Sequence, residues 1–154
     1  MAAFVFGKTT MLQVIIRRKD IEAIYRHAQE SYPNECCGIL TGVAHRPRRV
    51  MGVHRGENIA LDKSIRYQLN PLDQLKVLKL CDQQNLEIIG YYHSHTDGPS
   101  LPSQTDAENA WPNYSYLIVS VVRGAIAKVA SWVFNSSLLK FEEERIIIEE
   151  IEDR

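Results

Sequence analysis

Apolar and polar positions divide the chain into short elements of two kinds. Residues 12–16 form an apolar, β-branched run ending at Arg17, Arg18 and Lys19, which predicts an opening strand. Asp20 then precedes Ile21, Ile24, Tyr25 and Ala28, whose i, i+3, i+4, i+7 spacing puts one apolar stripe on a helix that Pro33 ends. Ile39 and Leu40 lie between Gly38 and Gly42, a short buried strand whose mouth is Asn34, Glu35, Cys36 and Cys37. Residues 45–49 are basic and contain Pro47, an exposed turn leading into a strand over 50–53. Asn70 followed by Pro71 predicts a helix start, because Asn accepts from free N–H groups while proline fits the first turn. Leu72, Leu75 and Leu78 then line one face of a helix that ends near Gln84.

Residues 86–92 are almost continuously apolar, as a strand covered on both faces is, and run directly into His93, Ser94 and His95. A loop with Gly98, Pro99 and Pro102 follows, then a short helix within 103–111. Residues 116–122 and 125–134 are strand-like and meet at Arg123 and Gly124, a hairpin signal. The runs 138–141 and 146–148 fit strand or helix equally. The order β, α, β, β, α, β, short helix, β, β, without internal repeats or linkers, predicts one mixed α/β domain.

Composition narrows the function classes. In 154 residues, Lys and Arg number 18 and Asp and Glu 19, a net charge of −1, which lacks the basic footprint of a nucleic-acid binder. The charge is uneven: residues 141–154 hold seven acidic groups against Arg145 and Arg154, a net of −5. Three cysteines, Cys36, Cys37 and Cys81, make no paired disulfide framework and predict a reducing, cytoplasmic setting. The apolar stretch 2–6 is too short for a signal peptide, and no run approaches the roughly 18 residues of a membrane span. No membrane partner is expected.

The chemistry concentrates in residues 93–106, where His-x-His is followed by seven residues and then Ser-x-x-Asp. Strand side chains alternate, so His93 and His95 project to one side, close enough to share a metal ion. A carboxylate from Asp106, brought back by the Pro-rich loop, completes the three-ligand set with an open fourth position found in catalytic zinc sites. Two simpler accounts use the same residues: half-buried strand histidines, and a helix cap made by Ser103 with Asp106. Cap and donor are compatible roles for Ser103. Asp97 is a rival third ligand, though Gly98 and Pro99 mark it as a turn residue. Cys36 and Cys37 read as small buried hydrophobes, and His27, His45 and His54 have no partner spacing.

With Glu35 upstream, the pattern Glu, HxH, seven residues, SxxD resembles the JAMM (MPN-plus) zinc metallopeptidases, over about residues 11–135. The short length resembles the compact prokaryotic, Mec-like members. The resemblance implies a cytidine-deaminase-like α-β-α sandwich with a mixed sheet over residues 11–154, acidic from 141, after an extension at 1–10. The deaminases' own HxE and PCxxC are absent. It also implies one zinc held by His93, His95 and Asp106, Glu35 as general base, and Ser103 as oxyanion donor. The implied substrate is a ubiquitin-like or sulfur-carrier protein, cut at a peptide or isopeptide bond after its terminal diglycine, with the Arg46, Arg48 and Arg49 cluster steering an acidic carrier. Two alternatives are a noncatalytic MPN-type scaffold and a zinc hydrolase of small amides or peptides. Oligomeric state is left open.

Overall fold

The computed structural model describes residues 11–150, so the extension expected at 1–10 and the last four residues lie outside the described residues. The elements follow the expected order: β1 (Gln13–Arg17), α1 (Arg18–Ser31), β2 (Cys37–Val43), β3 (Arg48–Gly56), α2 (Pro71–Gln84), β4 (Glu87–Thr96), α3 (Gln104–Glu108), β5 (Ser115–Val122), β6 (Ala125–Asn135) and β7 (Lys140–Glu149). The undecided C-terminal runs are thus one strand, with Leu138 and Leu139 in the turn before it.

The strands form one mixed sheet in the order β1-β3-β2-β4-β5-β6-β7, closed by parallel pairing of β1 with β7. Closure removes the open edges that a strand otherwise presents to other chains. On one face α1 buries Ile21, Ile24 and Ala28 against Val14, Ile16, Leu40, Val50, Leu117 and Val119. Each of the larger side chains contributes about 1.5–3 kcal/mol through burial. On another, α2 covers a smaller cluster of Ile39, Val77 and Cys81.

The helix expected after Asn70 is present, and Asn70 caps it by accepting from Leu72 N, but its buried face differs from the expected one. Leu72, Leu75 and Leu78 are 63%, 49% and 45% exposed, whereas Val77 and Cys81 are each 5% exposed. Val77 and Cys81, four residues apart, lie one above the other on the packed side, while the i, i+3, i+6 leucines drift around the opposite side.

The basic turn is not wholly exposed. Arg48 is in β3 and buried, donating to Ser115 Oγ at 2.9 Å and to the Asn113 carbonyl at 2.6 Å. Arg46 pairs with the buried Glu144 at 2.8 Å, and Arg49 pairs with Glu149. Arg46 and Arg49 are therefore matched by the acidic end and Arg48 is taken up by Ser115 and Asn113, so the cluster is not a free steering surface.

One irregularity aims the functional strand. β4 carries an extra residue against β2, since Leu40 faces Gly90 while Thr41 faces Ile88. This bulge shifts the alternation, so that Ile89 and Tyr92 both reach the α1 core while Ile88 and Tyr91 pack under α2. Beyond it, His93 and His95 follow the Tyr91 side. Gly38 on β2 makes room for the turned-in Tyr92, whose ring would lie 2.1 Å from an added Cβ.

Candidate functional site

His93 and His95 stand at the C-terminal end of β4, with their Nε2 atoms 3.1 Å apart. The following loop is held through three successive carbonyls: Gly98 O accepts from Ser120 Oγ, Pro99 O from His95 Nδ1 at 2.8 Å, and Ser100 O from Trp132 Nε1 at 3.0 Å. Asp97 turns the chain with φ 56°, and its carboxylate accepts from Arg123 N and Tyr32 Oη, both at 2.8 Å. It faces away as a clamp between α1 and the β5–β6 hairpin, consistent with a turn residue and not a ligand.

The loop delivers Ser103 as N-cap of α3. Asp106 N donates to Ser103 Oγ at 3.1 Å, and Ser103 N donates to Asp106 Oδ2 at 2.8 Å, a complete capping box. The same Asp106 carboxylate reaches the histidines, with Oδ1 3.3 Å from His93 Nε2 and Oδ2 3.2 Å from His95 Nε2. The cap and the three-residue cluster are one construction.

These distances can be tested against a metal. Bonds of about 2.0–2.1 Å in a tetrahedron require ligand–ligand edges of about 3.3–3.4 Å, close to the 3.1 Å between the two Nε2 atoms, while the Asp106 contacts of 3.3 and 3.2 Å come from its two different oxygens, one to each histidine. A carbonyl only accepts, so His95 Nδ1 carries a proton toward Pro99, leaving Nε2 of the neutral ring as a lone pair facing the cluster. His93 is fully buried, and its Nδ1 has no hydrogen-bond partner among the described residues. Burial lowers the His93 pKa, which keeps a ligand-competent neutral ring. Burial works to raise the Asp106 carboxyl, but the histidines, whenever their Nε2 atoms carry protons, and Ser103 N hold it well below the usual carboxylate range. For His95, burial pulls downward, while bonding to Asp106 and Pro99 leaves it above its ordinary value. A positive charge is favoured among these atoms, and either a proton or a divalent cation supplies it.

Glu35 lies beside this cluster, 6% exposed, with a carboxylate oxygen within 4.8 Å of ligating nitrogens of His93 and His95. It is therefore a geometric rival to Asp106 as third ligand, although Asp106 is in direct contact with both histidines, at 3.2 and 3.3 Å. Burial pushes the Glu35 carboxyl up to about 7, with His95 opposing and Asp106 reinforcing the rise. A carboxyl poised there can both take and return a proton at neutral pH.

Cluster and Glu35 open into a groove of roughly 990 Å³ between the 57–69 segment and α3. The profile of one protein family, the prokaryotic homologues of the JAB domain, matches residues 17–135. The chain belongs to the prokaryotic JAB family. Among relatives of this JAB protein, a desampylase of Haloferax volcanii is 36% identical over 104 residues, covering 64% of this chain and 74% of that protein. A CysO-cysteine peptidase of Mycobacterium tuberculosis is 32% identical over 116 residues, covering 73% and 77%. The solution structure of a protein from Desulfitobacterium hafniense superposes with a TM-score of 0.79 at 28% identity, over 90% of this chain and 94% of that one.

In this JAB domain the two cysteines beside Glu35 are buried, and burial pushes Cys36 up to about 11 and Cys37 up to about 12, so both stay protonated thiols. His27 bonds Tyr92 Oη, His54 bonds Thr41 Oγ1, and His45 is exposed; none joins the cluster. One residue absent from the sequence reading does. Tyr67 stacks on His93, centroids 4.4 Å apart at 24°, fixing the ring whose Nδ1 has no partner. A single tyrosine in an aperiodic stretch carries no sequence signal for that contact.

Proposed function

We propose that this JAB protein is a zinc-dependent hydrolase that cleaves the peptide or isopeptide bond after the C-terminal diglycine of a ubiquitin-like or sulfur-carrier protein. The observation that carries the reading is the convergence of His93, His95 and Asp106 to 3.1–3.3 Å beside a buried Glu35. The names of the relatives, a desampylase and a CysO-cysteine peptidase, supply the substrate class.

His93 Nε2, His95 Nε2 and Asp106 would hold the ion. When bound, zinc supplies Lewis acidity that polarises a carbonyl and makes water acidic enough to attack near neutral pH. Glu35 takes the proton from the attacking water as the C–O bond forms and the carbonyl pair moves onto oxygen, then gives it to the amine as the carbonyl re-forms and the C–N bond breaks. Ser103 Oγ accepts from Asp106 N, which leaves its own hydrogen free to donate to the carbonyl oxygen as charge develops there. Glycines at the end of the carrier suit the groove because a side chain at that point would obstruct the approach of the scissile carbonyl.

Three further assignments accompany this reading. Helices on different faces of the mixed sheet support the cytidine-deaminase-like sandwich, here with β1 and β7 joined. Residues 11–154 act as one JAB domain. Free cysteines and the lack of any helix long and apolar enough to cross a membrane, among the described residues, support a cytoplasmic setting. The test uses a sulfur-carrier protein with a cysteine joined to its terminal glycine, and the isolated tail peptide with the same bond. Wild-type protein should cleave the carrier adduct and discriminate against the peptide, and Glu35→Gln should keep its metal while losing about 10²–10⁴-fold in turnover. A Glu35→Gln variant as active as wild type contradicts the mechanism.

A further inference from the structure

We propose that Asn58 is a positioning residue that sets Glu35; the assignment rests on reading Glu35 as the general base. Glu35 precedes β2, whose ladders with β3 and β4 begin at Cys37, so no strand pairing holds its backbone. Cys36 N, in the same peptide group as the Glu35 carbonyl, donates to Ser94 Oγ of β4 at 2.8 Å, and the segment between β3 and α2 holds Glu35 itself. Glu35 N donates to the Lys63 carbonyl at 2.7 Å, and the Glu35 carbonyl accepts from Asn58 Nδ2 at 3.0 Å.

That segment is a closed loop. Asn70 N donates to Glu57 O at 3.0 Å, Asn70 Nδ2 donates to Glu57 Oε1 at 2.9 Å, and Asn58 bridges Leu69. Within it, Asn58 Oδ1 accepts from Ala60 N and Gln68 N, and Nδ2 donates to Arg66 O as well as Glu35 O, all at 3.0 Å. A primary amide has two donor hydrogens and two acceptor sites, so its capacity is filled and nothing remains for substrate. Three bonds tie the loop to itself, and the fourth transmits that rigidity to Glu35. The Glu35 carboxylate makes no side-chain hydrogen bond among the described residues, so its aim depends on its backbone anchors, of which Asn58 is the one that ties the carbonyl to the loop. A displacement of about 1 Å at such a group costs on the order of 10²-fold in rate.

The experiment measures turnover of the sulfur-carrier–cysteine adduct, zinc affinity by chelator competition, and thermal stability for Asn58→Ala, Asn58→Asp, Glu35→Gln and the Glu35→Gln/Asn58→Asp double variant. Asn58→Asp keeps the acceptor for Ala60 and Gln68 but sets an oxygen against the Glu35 carbonyl, and it carries the test if Asn58→Ala does not fold. The expected result is a fall of about 10–100-fold in kcat for the Asn58 variants with zinc affinity unchanged, and a double variant no slower than Glu35→Gln alone. Additive losses, or zinc affinity falling in step with kcat, would show a general structural role and overturn the proposal, as would undiminished kcat. If Glu35→Gln itself is fully active, the base assignment falls and takes the proposal with it, an outcome distinct from failure at Asn58 alone.

Discussion

Two regions of the molecule gather ionisable groups at the ends of strands, and they resolve them in opposite ways. Around β1, which β3 and β7 flank, buried Glu144 accepts from Ser131 Oγ at 2.6 Å and from Arg46 at 2.8 Å, while Arg49 pairs with Glu149 and Arg18 with Glu150. Donors and acceptors are matched. At the end of β4, His93 Nε2, His95 Nε2 and the Asp106 carboxylate converge beside Glu35, and Ser103 N is a donor to the carboxylate while the His95 Nδ1 proton is committed to Pro99. Acceptors are in excess there. A matched cluster closes a fold, whereas a buried cluster short of positive charge can take up a proton or a cation, so charge density alone does not distinguish structure from function.

Ser103→Ala gives the largest effect in this set, because it removes a donor from the reacting oxygen. Turnover should fall by about 10²–10³-fold while zinc remains bound, with a stability loss of about 1 kcal/mol from the missing cap. Steady-state kinetics beside metal analysis separates the two. Glu144→Ala probes the other region. It removes the acceptor of the buried Ser131 hydroxyl and the partner of the exposed Arg46, and should cost about 1–2 kcal/mol in denaturant unfolding, with turnover per folded molecule unchanged. A Glu144→Ala variant of normal stability but impaired turnover would erase the distinction between the two clusters. Tyr67→Ala should weaken zinc binding by about 10-fold, since the stacked ring restrains His93, while Tyr67→Phe keeps the ring and should bind as wild type.

The parts of the site that were legible in the sequence are those encoded locally. His93 and His95 share a strand face by period two, and Ser103 with Asp106 reads as a cap whether or not a metal is present. Asp97 was legible as a turn residue beside Gly98 and Pro99, and its positive φ agrees. Long-range relations were not legible. Nothing in the periodicity of 57–69 shows that Asn58 reaches Glu35 or that Tyr67 covers His93. The leucines of α2 looked like its buried face because period alone marks a stripe without saying which side the sheet will take. Charges misled for a related reason: Arg48 lies in a basic turn by sequence, yet β5 brings Ser115 to satisfy it inside the fold. β7 has no clean alternation, and its strand state comes from pairing with β6 on one side and β1 on the other.

The excess of acceptors at the end of β4 is tested most directly by metal content. Protein purified without chelator or histidine tag is analysed by mass spectrometry beside Asp106→Ala. About one zinc per chain in wild type and a substantial loss in the variant is the predicted result. Wild-type protein that binds no divalent metal even after zinc is added back, or an Asp106→Ala variant that holds it as tightly, would contradict the account.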